Sequence, residues 1–461
     1  MRSLFSEQTK RRMWRRLWLA LAQSQAKAGL VSEEELADLR RYVDAVDIPA
    51  AQELEKEIKH DLMAELRTYA SQAAVGGGKL HLGATSMDVE DNVEIARMRA
   101  ALSLLVKSIR ALLDSFAAKI EQYAAQPSLA YTHLQAAEPT TLGYRLAVWA
   151  QDIALDCEAL SCLAEWLPAK GMRGAVGTSA SYMALLGNHE ATVDGCERAV
   201  LDAFGLHALP VSAQTYPRRL DYVVIAAVAG FAASAKKFAS DVRVLSSTPF
   251  GEVAEPFDQK QVGSSAMPFK RNPILCERIC SLARIVGAHV QVAWQNASEN
   301  LLERTLDDSA NRRTIIPESF LAADEIAALA HEVVGGLRVN KRRIAENLAA
   351  FGPFAASEPI MLAAVKNGAD RQAVHEVLRQ AALRAWEAVE GGAANPLPAM
   401  LERDPLIGRY LSKAQLQGCL DASVHTGMAE RRARAFAAKL KERGAAAAPR
   451  HDYVRDLGIK L

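Results

Sequence analysis

An all-α fold of three helical domains is the architecture that this sequence predicts, and three observations carry it. Hydrophobic residues recur at the 3.6-residue helical period, and no convincing alternating run of the kind a half-buried strand shows is present. Residues 88–126 contain neither glycine nor proline, which predicts one very long helix. Pro139, Pro217, Pro273 and Pro317 stand where further long helical segments begin. A proline costs nothing in a first turn, because its missing N–H would be unpaired there and its fixed φ suits a helix.

The elements follow in order. The first stretch, MRSLFSEQTKRRMWRRLWLALAQ, is Arg-rich and amphipathic and superficially resembles a transit peptide. Its pattern runs on without a cleavage-like break, so it is read as a first helix. Trp14, Leu17, Trp18 and Leu21 make its apolar face, and the arginines a solvated basic face. Shorter helices and a Gly76-Gly77-Gly78 turn complete an N-terminal domain, residues 1–85. The central domain, residues 86–339, is a five-helix bundle of long helices. They cover residues 88–126, 139–166, 217–246, 273–302 (interrupted at Gly287) and 317–334. Residues 340–461 form a C-terminal helical domain, with breaks at Gly352-Pro353, Gly391-Gly392 and Asn395-Pro396. GAAAAP, residues 444–449, reads as a small-residue linker before a polar tail.

Bulk properties narrow the function. Fifty-five basic residues balance 54 acidic ones, which disfavours a dedicated nucleic-acid binder. The six cysteines form no Cys-x-x-Cys pair and no zinc-like spacing with histidine, as expected of buried thiols in a reducing compartment. No apolar run reaches the roughly 18 residues that span a bilayer. A cytoplasmic protein without a membrane partner is expected.

The polar, chemistry-capable residues gather just ahead of the long helices. His81 to Ser86 precede the first, Tyr131-Thr132-His133 the second, Gln214-Thr215-Tyr216 the third, and the segment GSSAMPFKRNP, residues 263–273, the fourth. Helix N-termini present free N–H groups and partial positive charge, so such loops suit a polyanionic substrate. A helix of about 35 residues is about 50 Å long. Successive helices of an up-and-down bundle start at opposite ends, so loops that form one site must come from several chains. A homo-oligomer is expected.

These motifs resemble those of the adenylosuccinate lyase family, within the fumarase/aspartase superfamily. GSSAMPFKRNP is similar to the superfamily signature. KHDLMAEL (59–66), LHLGATSMDVEDN (80–92), YTHLQAAEPTTLG (131–143), AQTYPRRLD (213–221) and ERTLDDSANRR (303–313) agree in order and spacing. The resemblance implies β-elimination of fumarate from adenylosuccinate, giving AMP, and from the succinyl-aminoimidazole-carboxamide ribotide of purine synthesis. A sister lyase acting on another N-substituted aspartate or substituted succinate is the alternative. It implies a homotetramer with active sites shared between subunits, acting on a small succinyl-nucleotide, and no cofactor or metal.

Residue by residue, the resemblance implies Ser264 as base and His133 as acid. Lys270, Arg271 and the following helix N-terminus would favour the alkoxide, and Glu277 would orient His133. Lys270 and Asn272, with Thr85 and Ser86, would hold the succinyl carboxylates. Lys59, His60, Asp61, His81 and Thr132 match the substrate-binding segments. Gln214, Arg278, Arg304, Ser309 and Arg313 match positions that contact the nucleotide, and Arg suits phosphate through its two parallel N–H donors. Ser309 and Arg313 share a face if their stretch is helical. Family members carry an Arg-Tyr pair ahead of the first helix, a nucleotide phosphate contact, that the opening Met1 to Ser6 does not match. The start then lies upstream, or phosphate binding is rearranged, or the substrate differs.

Overall fold

The computed structural model describes residues 1–187, 190–258 and 260–446. The architecture is all-α in its main elements. Helices α1 (Glu7–Ala26), α2 (Glu33–Tyr42), α3 (Ile48–Ile58) and α4 (Asp61–Gln72) lead into α5 (Ser86–Tyr123), 38 residues and so about 57 Å long. A hairpin of β1 (Pro127–Thr132) and β2 (Gln135–Thr141) connects it to α6 (Leu142–Trp166). Two shorter helices, α7 (Ala180–Leu185) and α8 (Glu190–Asp202), precede α9 (Arg219–Ser246). The bundle is completed by α10 (Ile274–Glu299) and α11 (Ser309–Gly335), and the short strands β3 (Val253–Ala254) and β4 (Arg338–Val339) pair antiparallel beneath it.

The five long helices pack on one another through Phe116 of α5, Trp149 of α6, Phe231 and Phe238 of α9, Ile279 of α10 and Phe320 of α11, all essentially buried. Phe238 sits edge-on to both Phe116 and Trp149, with ring centroids 5.3 and 5.4 Å away. By length and mean hydropathy α9 could cross a bilayer, although Lys236 and Lys237 interrupt its apolar residues. Here its apolar side chains pack against α6, α10 and α11.

After β4 the chain forms α12 (Lys341–Ala355), α13 (Ser357–Lys366), α14 (Arg371–Glu390), α15 (Leu397–Glu402), α16 (Pro405–Tyr410) and α17 (Lys413–Leu420). Ile360, Val374, Leu378, Leu401 and Ile407 make their separate apolar cluster. The last helix, α18 (Ala429–Ala446), returns to the bundle and packs Ala433, Ala437 and Leu440 against α5 and α6.

Several local expectations are corrected. The hairpin was hidden because β2 contains Pro139, which cannot donate to a ladder, and its turn is His133-Leu134 rather than an Asn-Gly type. Pro139 therefore lies in a strand, and Pro317 lies inside α11, which begins at Ser309. Gly287 leaves α10 unbroken, and Gly352-Pro353 fall within α12. Residues 444–446 of the expected linker continue α18; the remainder, with the polar tail, lies outside the described residues.

The basic face of α1 is only partly solvated. Trp14, Leu17, Trp18 and Leu21 are buried as expected, but so are Arg11 and Arg15. Arg15 Nε meets Glu65 Oε1 at 2.5 Å and Arg11 meets Glu65 Oε2 at 3.2 Å. Arg15 also donates to the carbonyls of Tyr42 and Ala45 and to Gln72 Oε1. Glu65 is fully buried on α4 and welds that helix to α1. Removing one partner of such a group strands the other charge in the interior, at a cost of about 3–5 kcal/mol. Glu65→Ala is therefore expected to lower the urea midpoint clearly; an unchanged midpoint would show that the two arginines reach water or another acceptor.

Candidate active site

The candidate residues collect at two ends of the bundle. At the first end a cleft of about 870 Å3, open to solvent, lies between α1, α4, α5 and α11. Asp61, Arg304, Ser309 and Arg313 all line it. Ser309 opens α11, so Arg313, one turn on, projects from the same face. Arg313 pairs with Asp61 at 3.2 Å and Arg304 with Asp308 at 2.9 Å.

The loops that enter this end are held by their own bonds. His60 caps α4: its Nδ1 accepts from the Met63 N–H at 3.4 Å. In the neutral ring this leaves Nε2 to carry the proton toward Ser86 Oγ, 3.4 Å away. Lys59, exposed and left-handed at φ 55°, ends α3 just before it. Thr85 is the N-cap of α5, and its backbone N–H donates to Asp88 at 3.0 Å. Thr85 and Asp88 together form a capping box at the start of α5. Gln214 donates to the carbonyl of Ala175 at 2.9 Å. Trp18 Nε1–H donates to His81 Nδ1 at 3.0 Å.

The second end carries the signature loop and the hairpin tip. Ser264 Oγ accepts from the Met267 N–H at 3.1 Å, and Asn272 donates to the Gly263 carbonyl at 3.0 Å. A Cβ on Gly263 would stand 2.0 Å from the Lys270 carbonyl oxygen, so close backbone approach dictates glycine here. Lys270, Arg271, Glu277 and Arg278 are exposed, and Arg271 lies over the Phe257 ring. Glu277 approaches Arg243 at 4.0 Å. Thr132 and His133 are exposed at the turn of the hairpin. His133 and Leu134 both take left-handed φ, 52° and 61°, a costly conformation for side chains of this size. Among the described residues His133 makes no hydrogen bond within its own chain, to Glu277 or otherwise.

Two carboxylates missed by motif reading shape this end. Glu255 accepts from the N–H groups of Leu275 and Cys276 at 3.1 and 3.0 Å. It occupies the N-terminus of α10, so two of the N–H groups at the helix end expected to favour the Ser264 alkoxide are already taken. Glu252, fully buried, accepts from Tyr131, Arg145 and Asn347 and holds the hairpin in place. At the first end Asp88 plays the same part. It accepts from Lys170, from the N–H groups of Arg173 and Gly174, and from Tyr182, and so anchors the start of α5 beneath Thr85 and Ser86. Lys170 in its glycine-rich stretch was the sequence signal that could have pointed to it.

The two ends do not meet. Arg218, just before α9, pairs with Asp91 of α5 and with Asp308 at the start of α11, so these three helices begin together. The helices α6 and α10 begin at the other end, near Glu252 and Glu255. The 26 residues of α10 alone span about 39 Å.

Comparison with known proteins finds relatives over nearly the whole chain. Residues 2–287 match a family model described as Lyase, and residues 353–436 one described as Adenylosuccinate lyase C-terminus. The adenylosuccinate lyase of Schizosaccharomyces pombe is 36% identical over 445 residues, covering 95% of this chain and 92% of the relative. The chain belongs to the adenylosuccinate lyase family. The adenylosuccinate lyase of Saccharomyces cerevisiae is likewise 36% identical, over 100% of this chain and 96% of its own length. A solved fumarate lyase from Mesorhizobium sp. BNC1 superposes with a TM-score of 0.83 at 25% identity, covering 95% of this chain and 97% of that one.

Within this adenylosuccinate lyase family member, His81 offers a test of the loop geometry. Burial, and further the nearby His60, hold its imidazole below the ordinary value of about 6.5, against an opposing pull from Asp88. The folded state thus prefers neutral His81. Its contribution to stability is present above pH ~6.5 and is lost as pH falls through the lowered value. The gap in urea midpoint between the parent and His81→Gln is expected to narrow from pH 7.5 to pH 5. A gap that stays constant would mean that His81 titrates as it does in the unfolded chain.

Proposed function

We propose that the chain cleaves adenylosuccinate to AMP and fumarate, and the related succinyl ribotide in the same way, by β-elimination. Full-length identity to adenylosuccinate lyases carries this reading. It favours that substrate over a sister lyase reaction.

The chemistry is assigned as follows. Ser264, as alkoxide, removes a proton from the carbon beside a succinyl carboxylate. The electron pair forms the new C=C bond, the C–N bond breaks, and His133 protonates the departing nitrogen. The intermediate carries extra negative charge on that carboxylate, which Lys270 and Asn272 stabilise. Thr85 and Ser86 hold the succinyl end of the substrate, with Lys59, His60, Asp61, His81 and Thr132 around it. Gln214, Arg278, Arg304, Ser309 and Arg313 bind the nucleotide.

This assignment needs more than one chain. Ser264 and His133 lie at one end of the bundle and Ser86, Arg304 and Arg313 at the other, so an antiparallel neighbour must bring the ends together. We assign a homotetramer with shared sites, in which the signature loop of another copy brings both Ser264 and Glu277 to His133. The six cysteines, all free, support a reducing, cytoplasmic setting.

The direct test supplies adenylosuccinate to the purified oligomer and follows fumarate and AMP; a folded oligomer that releases neither refutes the substrate. Ser264→Ala and His133→Ala are each expected to lower kcat by about 10²–10⁴-fold with unchanged helical circular dichroism. Mixing the two inactive variants under subunit exchange should restore part of the activity. No recovery after verified exchange counts against shared sites.

A further inference from the structure

Almost every charge in the cleft is matched, and one carboxylate is left over. Around Glu90, Lys10 of α1 pairs with Glu7 at 2.6 Å, and Arg97 of its own helix pairs with Glu94 at 2.7 Å. From α11 and the loop before it, Arg313 pairs with Asp61 of α4, Arg312 with Asp221 at 2.6 Å, and Arg304 with Asp308. Asp91 is taken by Arg218 and by the Tyr216 N–H. Glu90 itself, partly buried on the second turn of α5, lines the same cleft with no hydrogen bond and no ion pair among the described residues. Burial, then the like charges of Asp61 and Asp91, push its carboxyl up to about 8, against the pull of Arg313 and Lys10.

An anion that enters this cleft finds cations that already hold carboxylates. It must compete with Asp61 for Arg313 and with Asp308 for Arg304, while Glu90 stands beside them without an ion-pair partner among the described residues. An ionised Glu90 would repel the anion in a partly desolvated site. A protonated one removes that repulsion and adds an O–H donor.

We propose that Glu90 is a proton-coupled positioning residue of the cleft: a phosphate-bearing ligand binds together with one proton, held on the Glu90 carboxyl. This rests on the reading that the Arg304–Ser309–Arg313 wall takes the phosphate. A glutamate in the first turns of a helix is otherwise expected to be ionised, favoured by the helix dipole. The two roles differ in their pH behaviour.

The test is calorimetric titration of the intact oligomer with AMP between pH 7.5 and 9.5. The phosphate is then fully dianionic, since its second proton leaves near pH 6. Lysine stays charged, with an ordinary pKa of about 10.4. In the parent protein Kd should rise by up to about tenfold per pH unit above pH 8, by one-proton linkage. Paired titrations in two buffers of different ionisation enthalpy should show uptake approaching one proton per site. In Glu90→Gln the Kd should be flat across the range and about tenfold lower than the parent's at pH 9. A parent Kd independent of pH, no proton uptake, or an equal slope in Glu90→Gln would overturn the role of Glu90 alone. AMP that fails to bind the folded parent at every pH would overturn the phosphate reading of the cleft, and the coupling with it. The buffer comparison needs only the parent protein, so the result does not depend on the variant folding.

Discussion

Arg218 ties together the starts of three long helices, and the layout of the bundle depends on it. Its guanidinium bridges Asp91 of α5 and Asp308 at the head of α11, from a position one residue before α9. Arg312 extends the network to Asp221 and the Tyr216 hydroxyl. Arg218, Asp91, Asp221, Tyr216 and Asp308 are all buried. Buried ion pairs add little net stability over an apolar core, because desolvation offsets the attraction. What such a network supplies is registry. Helices packed through alanine, valine and phenylalanine can slide by a turn with modest loss, whereas charges without partners cannot be tolerated. The cluster fixes which turn of α5 faces which turn of α11, and thereby sets the width of the cleft between them.

Registry at one end also dictates the separation of the two ends. Three helices begin beside Arg218, and the two that alternate with them begin a full helix length away. Glu252 and Glu255 do for that far end what Arg218 does for the near one, since each buried carboxylate gathers donors from segments distant in sequence. The candidate residues thus lie largely in loops at the ends of rigid rods, with buried polar anchors at both ends. Precision in a site built this way comes from the bundle that fixes where each loop starts and ends.

Much of this was legible in the sequence, and what was not has identifiable causes. Residues 88–126 were readable as one helix because glycine and proline are absent over its whole length, and α5 covers nearly that range. The cleft-lining pair Ser309 and Arg313 was readable from a spacing of four. The β-hairpin was not, because its turn uses His133-Leu134 and its second strand contains a proline. The start of α11 was misplaced because a proline usually marks a first turn, and Pro317 is tolerated inside. The burial of Arg11 and Arg15 was hidden because their partner, Glu65, lies some fifty residues away on another helix. The anchors Asp88, Glu252 and Glu255 share that property: each satisfies donors distant in the chain, and no local period reveals such a group.

Gly263 opens the signature loop, and its lack of a side chain has a meaning for heredity as well as for geometry. The Lys270 carbonyl fills the space where a Cβ would stand, and that obstacle is backbone, unable to swing aside as a side-chain tip could. Alanine, the smallest change that mutation can offer, already forces the loop open and moves Ser264 next door. The position therefore grants no intermediate step between the present residue and a rebuilt loop. A lineage that keeps this loop keeps this glycine.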